Sequence, residues 1–193
     1  RAVNTTPTTP ITPATPTTPA IPSPALLPTV PAVPLPPVVD HRRFLQPRSV
    51  LVYPLRDTSI GRQYLLLHRT MAKGNFWQGV TGGMRWDESW ERAAARELVE
   101  KTGFTHIRLE PVDFSYRFPV PAEERHLFPP DATEIEEHVY LAWVEGSAFP
   151  LLDEKEHDDW KWVFYQEAMT LLKWPDNLGA LKFIEAQLAR NGF

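Results

Sequence analysis

The chain has no cysteine among its 193 residues, which excludes disulfides and thiolate metal sites and fits a reducing compartment. Nowhere does it carry the 18 or more consecutive apolar residues that a membrane-spanning helix needs, so no membrane partner is expected. It also lacks a basic stripe or a nucleic-acid-binding motif, and with a formal net charge of −4 it is not expected to bind long DNA or RNA. Six histidines are scattered without metal-ligand spacing, and His138, just before an apolar run, reads as structural. Proline, by contrast, is abundant: 21 residues, twelve of them before residue 38, with a Thr-Thr-Pro type repeat from Thr5 to Pro19. Such a segment has few backbone donors and little to bury, so it is expected to be extended, polyproline-like and disordered. It has almost no charge and no basic stretch leading into a long apolar run, and the chain opens without Met, which leaves room for a longer natural N-terminus. Residues 1–43 are therefore assigned to a Pro/Thr-rich tail or linker and residues 44–193 to one domain, with a cytoplasmic location expected.

Beyond the tail, short apolar runs alternate with helical ones, the pattern of an α/β fold. Ser49 to Arg56 and Gln63 to Arg69 read as a strand pair joined by a polar turn containing Asp57 and Gly61. Trp77 to Thr81 is a further extended run. Strands are expected within Ile107 to Phe118, Ile135 to Val144 and Trp160 to Tyr165, and helices around Gln166 to Lys173 and Asn177 to Arg190. The connection from Arg117 to Thr133 holds five charged residues and four prolines, and a connection that long in a compact domain is often a lid.

The most informative stretch is 82–104. Glu88 to Thr102 contains no Gly or Pro, and Gly103 follows, which predicts a helix of about four turns. Asp87 is the expected N-cap. Trp90, Ala94 and Leu98 recur at helical spacing as a buried stripe, while Ala93, Glu97, Glu100 and Lys101 share another face. Carboxylates at i, i+3 and i+4 just after a glycine turn suit a hard divalent cation, and magnesium is usually held by one or two carboxylates plus substrate phosphates. The competing reading is a solvated helix face with intrahelical ion pairs such as Glu97 with Lys101.

The spacing resembles the Nudix box, G-x5-E-x7-R-E-U-x-E-E-x-G-U with U apolar. Gly82, Glu88, Arg96, Glu97, Leu98, Glu100, Gly103 and Phe104 match in register, and Lys101 stands where the motif has a glutamate. The resemblance implies a Nudix α/β/α sandwich with a mixed sheet and a metal-dependent hydrolase using Mg²⁺ or Mn²⁺ on a small nucleotide-like substrate. It implies that the Gly82 carbonyl, Glu97 and Glu100 hold the metal, that Glu97 and Glu100 assist the base, that Arg96 orients the glutamates and that Glu88 braces the loop. The acid missing at Lys101 is often a metal ligand in the family, so metal binding is expected to be weakened, although lysine can reach a phosphate oxygen as a point charge. Pro47 to Val52, Leu66 to Arg69, Phe76 to Gly83 and Glu156 to Val163 further resemble the dihydroneopterin triphosphate and nucleoside triphosphate pyrophosphohydrolase branch.

By the same resemblance, Glu156 aligns with a remote acid used as an extra metal ligand or general base; the alternative is a solvated acidic loop, given its acidic neighbours from Asp153 to Asp159. Glu136 and Glu137 form a second candidate pair. Arg69 is the leading phosphate contact because guanidinium binds phosphate bidentately. Gln78 flanks the same turn, Trp77 is set against a substrate ring or, alternatively, the core, and Arg125 and His126 lie on the expected lid. Two activities remain open: hydrolysis of a nucleoside or pterin triphosphate to a monophosphate plus pyrophosphate, or a catalytically weakened module that holds a diphosphate ligand.

Overall fold

A computed structural model describes residues 40–146 and 148–192; the tail expected over residues 1–39 lies outside them. Within the segment assigned to the tail, His41–Arg43 form a 3-10 turn capped by the Asp40 carboxylate.

The domain is built on a seven-stranded mixed sheet. The central strand β1 (Arg48–Thr58) runs parallel to β6 (Glu134–Trp143) from Arg48 to Leu55. On its other edge it pairs with two partners in succession, antiparallel to both: β4 (Val80–Gly83) beside Ser49 to Val52, and β2 (Gly61–Arg69) beside Leu55 to Thr58. Strand β2 also pairs with the two-residue β3 (Trp77–Gln78) and with β7 (His157–Phe164), while β5 (Arg108–Pro119) closes the far edge against β6. The expected run from Trp77 to Thr81 is thus two short strands broken at Gly79, where a Cβ would meet Val52 O and Leu51 Cδ1, each at 2.9 Å.

Period-two alternation sends β1 side chains to opposite faces. Leu51, Tyr53 and Leu55 join Leu66, Leu141, Leu181 and Ile184 under α2 (Tyr165–Leu171) and α3 (Pro175–Arg190). Val50 and Val52 join Leu65, Leu67, Ala94 and Leu98 under α1 (Trp90–Thr102). This is the expected α/β/α sandwich. No helix among the described residues is long and apolar enough to cross a membrane.

Three local expectations are corrected. Helix α1 starts two residues late: Ser89, with extended φ and ψ, is the N-cap and its hydroxyl accepts from the Arg92 amide, so Asp87 and Glu88 lie outside the helix. Ala93 and Glu97 are buried together with Ala94 and Leu98, so Glu97 does not sit on a solvated face. The connection after β5 is shorter than expected, since Arg117 to Pro119 are strand, and it carries a 3-10 helix, Ala122–Leu127. Val120 and Phe128 bury against Ile135, which pins this connection to the sheet end. Arg125 is tied to the loop itself, donating to the carbonyls of Pro129 and Pro130, and His126 is exposed.

Candidate active site

One guanidinium organises the turn between β4 and α1. Arg96 grips Glu88 with two parallel bonds, Nε to Oε1 at 2.6 Å and Nη2 to Oε2 at 2.9 Å. Its Nη2 also donates to the Gly83 carbonyl at 2.8 Å, and its Nη1 donates to Glu97 at 2.6 Å and Glu100 at 3.2 Å. Bidentate charge-assisted bonds of this kind are the strongest and most directional available to side chains. Glu88 in turn accepts from the Arg85 amide at 3.0 Å, which ties the loop backbone to the same group. The Arg96 hydrogen bonds hold the Glu88 carboxyl down at about 2, against its burial.

Glu97 owes its position to a glycine. A Cβ on Gly82 would stand 1.8 Å from the Glu97 carboxyl carbon and 2.0 Å from Oε2, so the carboxylate occupies the space that any other residue at 82 would fill. Burial raises the Glu97 carboxyl above its ordinary range, and the Arg96 hydrogen bond opposes that rise only in part. Glu100 differs: its side chain is 44% exposed and it meets Arg85 at 3.3 Å as well as Arg96.

Lys101 lies one helical turn past Glu97 and reaches into the site. Its ammonium is 2.8 Å from Glu156 Oε2 and 3.9 Å from Glu97 Oε2, with only 12% of the side chain exposed. Glu156 arrives on the loop before β7, where its carbonyl accepts from the Thr70 amide at 3.0 Å and its carboxylate meets Arg69 Nη1 at 3.4 Å. Burial favours a protonated Glu156, yet the hydrogen bond and charge of Lys101, with Arg69, outweigh it and keep the carboxyl below its usual range. Four acids, Glu88, Glu97, Glu100 and Glu156, are therefore matched by four cations, Arg69, Arg85, Arg96 and Lys101.

Beside these groups lies a cavity of about 1050 Å³. Arg69, Gln78, Gly82, Arg96, Glu97, Lys101 and Glu156 all line it. Glu100 and Trp77 do not. Strand alternation explains Trp77: it pairs with His68 across β2 and β3, its ring lies 4.9 Å from that imidazole and 5.0 Å from the Lys161 ammonium, and it packs on the core beneath α2 and α3. Its neighbour Gln78 faces the cavity, bonded to Thr81, and Phe76 supplies the aromatic wall. The Glu136 and Glu137 pair divides in the same way. Glu136 is tied to His138 and Arg117 outside the cavity, whereas Glu137 is buried in its wall. His138 stacks on Trp90, with ring centroids 3.9 Å apart.

Two features carried no signal in the sequence. Arg85 enters the ion-pair network through the folding of the loop. His157 is fully buried beside Arg69, with neither ring nitrogen partnered among the described residues. Burial, followed by the charge of Arg69, brings the His157 imidazole down to about 4, so it is neutral near pH 7. The Arg69 Nε is likewise buried with no acceptor among the described residues.

A glycine turn, a buried glutamate, an arginine clamp and a mixed α/β/α sandwich together define a class, and comparison with known proteins agrees with it. The profile of the NUDIX domain matches residues 45–187, and the chain belongs to the Nudix family of hydrolases. It is 32% identical over 137 residues to a dihydroneopterin triphosphate diphosphatase from Haemophilus influenzae, a match covering 69% of this chain and 82% of that one. Its fold is similar to a Nudix hydrolase from Listeria monocytogenes, at TM-score 0.67 and 27% identity over 76% of this chain and 97% of that one. It is similar also to the dihydroneopterin triphosphate pyrophosphohydrolase of E. coli, at TM-score 0.63 and 24% identity over 77% and 98%. Nudix hydrolases generally use divalent metals such as Mg²⁺.

The clamp makes a stability prediction. Glu88→Gln removes the charged partner of Arg96 and is expected to cost about 1.5–3 kcal/mol in urea unfolding at pH 7. Because the folded Glu88 carboxyl sits at about 2, below its unfolded value, its contribution is present above the unfolded value and lost as pH falls toward 2. The gap between wild type and variant should therefore close between about pH 4.5 and pH 2. A gap that stays constant across that range would remove the charge from the argument.

Proposed function

We propose that the chain hydrolyses a nucleoside or pterin triphosphate to a monophosphate and pyrophosphate, with a divalent cation, Mg²⁺ or Mn²⁺, at the turn between β4 and α1. The observation that carries this reading is the burial of Glu97 in the Cβ space of Gly82, beside Arg69 and Lys101, at the wall of one cavity. An acid, two cations and a water-accessible space are the minimum for attack on a phosphorus flanked by charged oxygens.

The donor set fits a cation that arrives with the phosphates better than a standing cage. Among the described residues no group of three or more acids or histidines is arranged to hold a metal, and each acid already meets a cation. Magnesium commonly takes only one or two carboxylates and completes its shell with phosphate and water. Glu97, Glu100 and the Gly82 carbonyl would hold it. When bound, such an ion offsets phosphate charge and acidifies a bound water.

The protein's own residues do the rest. Arg69, which lines the cavity, offers its guanidinium to a phosphate oxygen, and Lys101 adds a second positive charge to the same oxygens. Arg96 fixes the Glu97 carboxylate in place. Glu97, raised by burial, is the stronger base, whereas Glu156, held by Lys101, is the weaker one and serves to position the lysine. Water attacks one phosphorus and gives up its proton to Glu97. The bond from that phosphorus to the bridging oxygen breaks, and pyrophosphate leaves with the bonding pair. Gln78 and Phe76 line the path of the substrate.

The second reading, a diphosphate-binding module with little turnover, is favoured by one observation: the Lys101 ammonium already bridges Glu97 and Glu156. Screening triphosphates of nucleosides and pterins with Mg²⁺ and with Mn²⁺, with product identification, separates the two. Release of pyrophosphate supports hydrolysis, and ligand-dependent heat stabilisation without product supports the module. If hydrolysis holds, Gly82→Ala should lower turnover about 100-fold or more while far-UV circular dichroism is unchanged, because the new methyl must expel Glu97. Lys101→Glu exchanges a positive for a negative charge within ion-pair reach of Glu97 and should tighten Mn²⁺ binding about tenfold or more, read by titration calorimetry. Equal Mn²⁺ affinity in the two proteins would place the cation away from Lys101.

A further inference from the structure

The cavity has a second end that phosphate chemistry does not use. Register places Glu137 of β6 beside Ser49 of β1, and Ser49 beside Gly83 of β4. Glu137 therefore lies two strand spacings, about 10 Å, across the sheet from the carbonyl that Arg96 holds. Ile135, two residues before Glu137 on the same strand face, and its cross-strand partner Phe118 line the cavity, as do Phe44 and Phe128. Phe128 and Ile135 are buried in a small cluster with Phe118 against it, so this wall is fixed rather than mobile.

A carboxyl group only 5% exposed in an apolar wall normally has a cation beside it. Glu137 has none within ion-pair distance among the described residues. Its oxygens instead accept from two hydroxyls, Oε2 from Ser49 Oγ at 2.5 Å and Oε1 from the Tyr116 phenol. Tyr116 is itself fixed by Asn177 Nδ2 at 2.9 Å. A carboxylate has about four acceptor positions, and two hydroxyls fill two. The other acceptor positions have no protein donor among the described residues, and the carboxyl lies in the cavity wall.

We propose that Glu137 reads the ring of the substrate, accepting two parallel N–H bonds from the amino group and adjacent ring N–H of a 2-amino-4-oxopyrimidine, the unit shared by guanine and pterins. This rests on the reading of the chain as a triphosphate pyrophosphohydrolase and names the ring that it selects. Adenine turns an acceptor nitrogen toward the same position and would oppose the carboxylate. Hypoxanthine keeps the ring N–H and lacks the amino group, so it loses one of the two bonds. A buried site built to accept substrate hydrogen bonds rejects analogues lacking them more sharply than an apolar pocket rejects an extra methylene, because its own groups are left unpaired.

The test compares kcat/KM for guanosine, inosine and adenosine triphosphates and for 7,8-dihydroneopterin triphosphate, with methyl triphosphate as a ringless control, in wild type and Glu137→Gln. Wild type should prefer the two 2-amino-4-oxo substrates over inosine triphosphate by about 10-fold or more and over adenosine triphosphate by about 100-fold or more. The ratio between guanosine and dihydroneopterin triphosphates identifies which of the two rings fits better. In Glu137→Gln those preferences should fall to within about threefold, and kcat/KM for methyl triphosphate should change less than kcat/KM for guanosine triphosphate. Calorimetric binding of guanosine and of neopterin, without phosphate or metal, should be lost in the same variant. Glu137→Asp, which keeps the charge and withdraws it from the ring, should weaken the preference to an intermediate value and guards against a folding defect in the glutamine variant. Equal use of guanosine, inosine and adenosine triphosphates by wild type, or an undiminished preference in Glu137→Gln, overturns the assignment of Glu137 while leaving pyrophosphohydrolysis intact. Absence of turnover on every triphosphate defeats the hydrolase reading instead, and ring binding then still decides Glu137.

Discussion

The clamp formed by Arg96 is the constraint on which the site depends. One guanidinium, 16% exposed at its side chain, bonds to Glu88 before the helix, to Glu97 and Glu100 on it and to the carbonyl of Gly83 at the end of β4. A loop is ordinarily the most mobile part of a domain, and this one is stitched at both ends to a single group. Exposed ion pairs contribute little to stability. This network is different because it is partly buried and bidentate, and because removing any partner leaves charge behind in a poorly solvated place.

Lys101 gives the site a charge balance that the motif alone would not have. With a carboxylate at that position, Glu97 and Glu156 would face a third acid and would need a cation from outside. The lysine supplies one from within the chain, 2.8 Å from Glu156. The acids can therefore lie close together in the folded protein without a bound ion, which lowers the electrostatic cost of forming the site; in the proposed metal-dependent reaction the same Coulomb term would weaken attraction for a divalent cation.

The sheet does more than carry the loop. Because the first half of β1 pairs with β4 on one edge and with β6 on the other, groups far apart in the chain meet on one surface: Gly83, Ser49 and Glu137 follow one another across three strands. The groups around the turn and the apolar-walled carboxyl thus line one cavity. Under the proposed reaction, substrate length and ring identity would be read by that frame.

Much of this was legible in the residues. The stretch from Gly82 to Phe104 specified a glycine turn and a helix ending at Gly103, because those depend on local spacing and backbone preference, whereas the role of Arg96 came from the resemblance to the Nudix box. The alternation in β1 and the apolar runs of β6 and β7 likewise placed the strands to within a few residues. The expected N-cap, Asp87, gave way to Ser89, since both are good caps and the choice rests on how Glu88 is drawn away to Arg96. Which of two neighbours faces a cavity, Gln78 over Trp77 or Glu137 over Glu136, depends on strand phase, and a shift of one residue reverses it. The burial of His157, the lone carboxyl in an aromatic wall and the reach of Lys101 to Glu156 belong to tertiary structure alone, because each is a relation between segments tens of residues apart that no local pattern encodes.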